Sequence, residues 1–125
     1  MNRVDVRDIA DAAGNAILRD GYEGKEYPIY GPDSLTGNAT ADIYSHIIGE
    51  EIRYGGDNLD AWFEQSRNIL PDWMAKDFRI MYQYFQERGI LATERDIELQ
   101  HEILQRDPRS FEAFVIETAA HWKHS

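Results

Sequence analysis

Cysteine is absent from the 125-residue sequence. That excludes disulfides, thiolate chemistry and cysteine-ligated metals, and leaves the compartment open. Basic residues are scarce beside acidic ones: 13 Lys and Arg stand against 23 Asp and Glu, a formal net charge of −10. Polyanions such as duplex DNA are held chiefly through Lys and Arg, so no nucleic acid is expected as a partner. No polybasic segment, spanning apolar run or signal-peptide core is visible either, and a cytoplasmic protein that binds no membrane is the expectation. The usual marks of catalysis are missing too. No G-x-G-x-x-G opens a strand–helix unit, and there is no Tyr-x-x-x-Lys pair, G-x-S-x-G elbow or P-loop, so no cofactor is expected to bind this chain alone and no catalytic residue is assigned.

What is present is enough for one modest core: 42% of residues are hydrophobic, fifteen of them aromatic counting Trp, Tyr and Phe, and the length suits a single domain over 1–125. The opening stretch, Val4 to Pro32, reads as helix, corner and strand. Val6, Ile9, Ala10, Ala13, Ala16 and Ile17 recur at helical spacing and form one apolar stripe. Asp5 suits an N-cap and Gly21 a helix end; Gly14, costly inside a helix, marks a possible close backbone approach. Lys25–Tyr30 has the content of a strand, placed at an edge by Pro28.

Further helices are expected from Asn38 to Ile48, capped by Thr36 or Asn38 and closed by Gly49; from Asp57 through Leu59, Trp62, Phe63 and Ser66; from Pro71 to Arg88; from Thr93 to Leu104; and from Ser110 through Trp122. Glu51–Tyr54 alternates as a short strand. In the longest helix Met74, Phe78, Met81, Tyr82 and Phe85 make a broad apolar stripe flanked by Trp73, Ile80 and Tyr84. The aromatic residues Trp73, Phe78, Tyr82 and Phe85 read first as core packing; they are also the one candidate pocket wall, and if a pocket exists Trp73, Met74, Met81 and Tyr82 are its substrate-contacting candidates.

Other polar groups carry little chemistry. His101-Glu102-Ile103-Leu104-Gln105 begins like H-E-x-x-H but has Gln105 where the second ligand belongs, and Glu98-x-x-His101 is half of a di-iron signature without a second copy. No metal is expected. His46 reads as exposed or capping, His121 and His124 as a polar tail, and the Asp8/Asp11 pair as a solvated helix face.

Two stretches resemble the C-terminal portion of the NmrA-like family, atypical short-chain dehydrogenase/reductases that include NAD(P)H-dependent quinone reductases and redox-sensing regulators. One is Val4-Asp5-Val6-Arg7-Asp8-Ile9-Ala10 with Gly24-Lys25-x-Tyr27 and Tyr30-Gly31-Pro32-x-Ser34-Leu35-Thr36; the other is Asp107-Pro108-Arg109-Ser110-Phe111-Glu112-Ala113-Phe114-Val115. Arg106-Asp107-Pro108 departs from that family's usual turn. The resemblance implies an α+β fold, a mainly helical lobe with two or three short strands, like the substrate-side portion of an NAD(P)-binding Rossmann-type protein. It implies a substrate-binding role without catalysis by this chain itself. NAD(P)H is implied only for a full-length relative, with a separate dinucleotide-binding portion as partner. The alternative is a non-enzymatic interaction or regulatory module that self-associates. The Val6/Ile9/Ala13/Ile17 face and the Tyr27/Ile29 edge, left uncovered, predict a homodimer.

Overall fold

The computed structural model describes residues 1–122. Six helices follow in order: α1 (Val6–Leu18), α2 (Gly37–Ile48), α3 (Leu59–Ser66), α4 (Asp72–Arg88), α5 (Glu94–Leu104) and α6 (Phe111–Trp122). They form two compact units. The first comprises Met1–Tyr54 and the chain from Leu91 onward; the second is Gly55–Ile90. In the first unit α1 packs on α5 and α2 on α6, and in the second α3 packs on α4. No described helix is long and apolar enough to cross a membrane.

The expected α+β class is overturned: the chain is all-helical, about 60% helix and 2% strand, and no sheet forms among the described residues. Neither expected strand exists. A strand is stable only when its backbone groups meet a neighbouring strand, and none is available. The one bridge among the described residues is antiparallel, Asn2 to Ser34, flanked by Leu35 N–H donating to Met1 O at 3.0 Å and the Met1 amine donating to Leu35 O at 2.8 Å. Residues 25–30 are held instead by side chains. Tyr30 N–H donates to Oε1 of buried Gln100, and half-buried Tyr22, Tyr27 and Ile29 pack on the core of Ala12, Ile103 and Leu104. Tyr27 and Ile29 therefore do not form an open edge. In 51–54, Ile52 N–H donates to Ser45 Oγ at 2.9 Å rather than to a strand.

Local chemistry sets the helix boundaries. Asp5 caps α1 by accepting from Arg7 N–H at 2.8 Å. Thr36 caps α2, which Gly49 closes in the left-handed conformation. Thr93 and Asp96 form a capping box on α5, and Ser110 Oγ accepts from Ala113 N–H at the start of α6. Three details differ from expectation. α1 ends at Leu18 rather than at Gly21, Asn58 rather than Asp57 caps α3, and Pro71 precedes α4 without a side-chain cap. No backbone comes near Gly14; the close approach is at Gly31, where a Cβ would stand 1.6 Å from Arg3 O.

α1 is oriented against its own pattern. Asp8 and Ala12 are buried, and Asn15 Nδ2 donates to Ile103 O at 2.8 Å; these positions, at i, i+4 and i+7, face α5 and the turn that follows it. The apolar stripe points the other way, with Val6 75% and Ile17 81% exposed and Ile9 and Ala13 exposed as well.

Candidate functional site

The second unit is a helical hairpin whose seam is aromatic. Ala75 is fully buried between the helices. The Trp62 and Tyr82 rings meet edge to face at 4.9 Å, with Phe78 and Phe85 each 6.3 Å from Tyr82. Such pairs add to plain burial because ring edges carry partial positive charge and faces negative. α3 is short, so its start is reinforced: Asn58 Oδ1 accepts from Asp60 and Ala61 N–H. Arg67 reaches Asp72 at 2.9 Å and Lys76 reaches it at 2.7 Å. Lys76 first, with Arg67 beside it, holds the Asp72 carboxyl below its usual range.

Beside this seam lies an open groove of about 550 Å³, lined by Asp60, Phe63 and Glu64 of α3 and Lys76, Arg79 and Ile80 of α4. Its floor is apolar and its rim ionic, with Arg79 Nη2 donating to Asp60 Oδ1 at 2.6 Å. None of the four sequence candidates lines it. Lys76, Arg79 and Ile80 recur at i, i+3 and i+4, whereas Met74, Phe78, Met81 and Phe85 follow a separate stripe. Of the candidates, Tyr82 is half-buried in the aromatic seam, Met74 and Met81 are half-buried on α4, and Trp73 is 63% exposed. The hairpin thus places an aromatic seam between α3 and α4 and, beside it, a groove in which Phe63 and Ile80 lie among four charged side chains.

The strongest polar constellation is in the first unit, and the reading of Asp8/Asp11 as a solvated face is wrong there. Asp8 is 0% exposed. Its Oδ1 accepts from Arg106 Nη2 at 2.7 Å and from Arg109 Nη1, and its Oδ2 accepts from Arg109 N–H at 2.8 Å. Asp11 Oδ2 bonds the same two guanidiniums, and Arg106 first, then Arg109, holds the Asp11 carboxyl below its usual range. Arg106 Nη1 also donates to Asp107 O at 2.8 Å, which fixes the α5–α6 turn. A buried carboxylate survives only when paired and hydrogen-bonded. The sequence carried the parts, carboxylates at i and i+3 on α1 and arginines at i and i+3 in the turn, about a hundred residues apart. Nothing local joins them.

The remaining polar candidates are structural. His101 Nε2 lies 2.7 Å from Asp107 Oδ1, and Glu98 pairs with Arg95. No group of three or more His, Asp or Glu able to hold a metal occurs among the described residues. His46 is exposed in the last turn of α2 and His121 in that of α6; His124 lies outside the described residues. Tyr27 Oη donates to Glu102 Oε1 at 2.8 Å beside Lys25. Burial first, then Glu102, raises the Tyr27 phenol above its usual range, and the Tyr27 bond lowers Glu102.

The chain is 39% identical over 80 residues to an NAD(P)H azoreductase of Xenophilus azovorans, covering 63% of this chain and 28% of that protein. It is 33% identical over 58 residues to a (4-alkanoyl-5-oxo-2,5-dihydrofuran-3-yl)methyl phosphate reductase of Streptomyces griseus, covering 46% and 21%. It thus spans less than a third of the length of these curated relatives. No protein-family model and no solved structure matches it. The two matches relate this sequence to reductases, one of them named for NAD(P)H.

Proposed function

We propose that this chain is the substrate-binding lobe of an NAD(P)H-dependent reductase of the NmrA-like type, and does not transfer hydride by itself. The observation that carries the reading is the 39% identity to an NAD(P)H azoreductase. The composition of the hairpin is compatible with it: an azo compound or quinone is flat and apolar, and α4 carries aromatic and thioether side chains of the kind that suit such a molecule. Trp73, Met74, Met81 and Tyr82 form the proposed wall. The nucleotide is left to a separate dinucleotide-binding portion, because a pyrophosphate needs converging backbone N–H groups at a glycine loop and helix N-terminus, and no segment of this sequence offers that loop. Titrating azobenzene while following tryptophan fluorescence tests the wall. Saturable quenching is expected, weakened by Met81→Ala and Tyr82→Ala more than either lowers the Tm. Equal loss of both properties returns the stripe to core, and micromolar NADPH affinity of this chain alone overturns the division of labour.

A second reading, a self-associating interaction module, is favoured by the outward stripe of α1. Two copies pairing that face about a two-fold axis bury it with one self-complementary contact. Light scattering at micromolar concentration is expected to give twice the 14.5 kDa chain mass; a stable species at the single-chain mass rejects the dimer.

A further inference from the structure

We propose that the first unit binds a small flat ligand carrying one anionic group, a carboxylate or a phosphate, in a depression between the start of the chain and the start of α6. The depression measures about 240 Å³, and Arg3, Val4, Val6, Arg109, Phe111 and Phe114 contribute to its walls. Arg3 is its distinguishing group. Among the described residues its side chain makes no hydrogen bond or ion pair, and its Nε is buried without an acceptor. Its guanidinium carbon sits 5.2 Å from the Phe111 ring centroid, so a cation–π contact fixes it in place.

What sets Arg3 apart is the burial of its Nε without an acceptor, and the neighbouring carboxylates are each engaged elsewhere. Asp5, also at the depression, is held by Arg7 through Nε at 2.9 Å and Nη2 at 2.6 Å while it caps α1. Asp8 and Asp11 are committed to Arg106 and Arg109. Asp8 and Asp11 balance Arg106 and Arg109, and Asp5 shares Arg7 with Glu117, which pairs with it at 2.8 Å, so each of these carboxylates is bonded to a cation other than Arg3. A planar guanidinium with free donors matches a carboxylate or phosphate, and Val4, Val6, Phe111 and Phe114 suit the apolar body of such a ligand. This site lies within the first unit and is independent of the hairpin reading, which stands or falls separately.

Three probes of one shape decide the proposal: benzoate, phenyl phosphate and neutral benzamide, titrated into the unmodified chain by calorimetry and by NMR of the Arg3 Nε–H. At least one anion is expected to bind about tenfold or more tighter than benzamide, as charge-assisted hydrogen bonds are about twice as strong as neutral ones. The Arg3 Nε–H resonance is expected to move in step, and Arg3→Gln to remove the preference. Equal binding of all three, binding by none, or an anion preference that Arg3→Gln leaves intact overturns it. Should Arg3→Gln fail to fold, the unmodified chain decides: a resonance that stays fixed at saturating anion also overturns it.

Discussion

α1 and α4 are both amphipathic, yet they pack by opposite logic. α4 turns its apolar seam, Ala75 and Tyr82, toward α3, as burial of apolar area predicts. α1 turns Asp8, Ala12 and Asn15 toward α5 and leaves Val6, Ile9 and Ile17 to solvent. The magnitudes show what this leaves unmet. Burying one such aliphatic side chain is worth about 1.5–3 kcal/mol, whereas removing one partner from a buried ionic network costs about 3–5 kcal/mol. Three such side chains together are worth about 4.5–9 kcal/mol, more than the network alone; the network and the Asn15–Ile103 bond set the rotation of the helix within one copy, and the outward stripe keeps its demand for cover. The difference teaches that a hydrophobic stripe shows that a face is to be covered, without showing by what.

The sharpest way to break the contrast is Asp8→Ala. It strips two guanidiniums and the Arg109 N–H of their acceptor, and a loss of about 3 kcal/mol in urea unfolding is expected, toward the low end because both arginines are about a third exposed. A loss below 1 kcal/mol would mean that the network does not orient α1. On the other side of the comparison, Tyr82→Ala removes a half-buried ring from the α3–α4 seam and is expected to cost about 2 kcal/mol, less than full burial would imply.

A smaller effect comes with acid. The Arg7 side chain first of all lowers the Asp5 carboxyl from 3.8 to about 2. Because the folded value is depressed, the stabilisation is fully present above pH about 4 and is lost as pH falls through about 2. Asp5→Asn should flatten that part of an acid titration of helicity; an unchanged profile would remove Asp5 from the account. Smallest for the fold is Ile17→Ser, expected to shift stability by no more than about 0.5 kcal/mol because the side chain already lies in water. The same change should abolish the proposed dimer, and a large stability loss without any change in mass would contradict both statements.

Much of the helical framework was legible because it rests on local chemistry. Asp5, Thr36, Gly49, Thr93 and Ser110 act within a turn of where they stand, so the ends they set can be read directly. The strands were not, because a strand depends on a neighbour elsewhere. Lys25–Tyr30 has strand composition, and Gln100 and the Ala12–Ile103–Leu104 cluster hold it in place without a sheet. The aromatic stripe of α4 was visible from spacing, but the groove beside it was not. Arg79 and Ile80 become its lining only once α3 supplies Asp60 and Phe63. The Asp8–Arg106–Arg109 network was hidden for the same reason, since its members meet only after α5 lies along α1.

The absence of cysteine allows one direct test of the central claim, that α1 presents its polar side inward and its apolar stripe outward. Ile17→Cys and Ala12→Cys each place one thiol in an otherwise thiol-free chain, and their labelling rates by a disulfide reagent can be compared under native conditions. At dilutions where copies separate, Ile17→Cys should react within about threefold of the unfolded chain, and should slow as concentration rises if two copies cover that face. Ala12→Cys, at a position only 4% exposed, should react at least about a hundredfold more slowly, limited by local opening. Fast labelling at position 12 with protection at position 17 at every dilution would contradict the account.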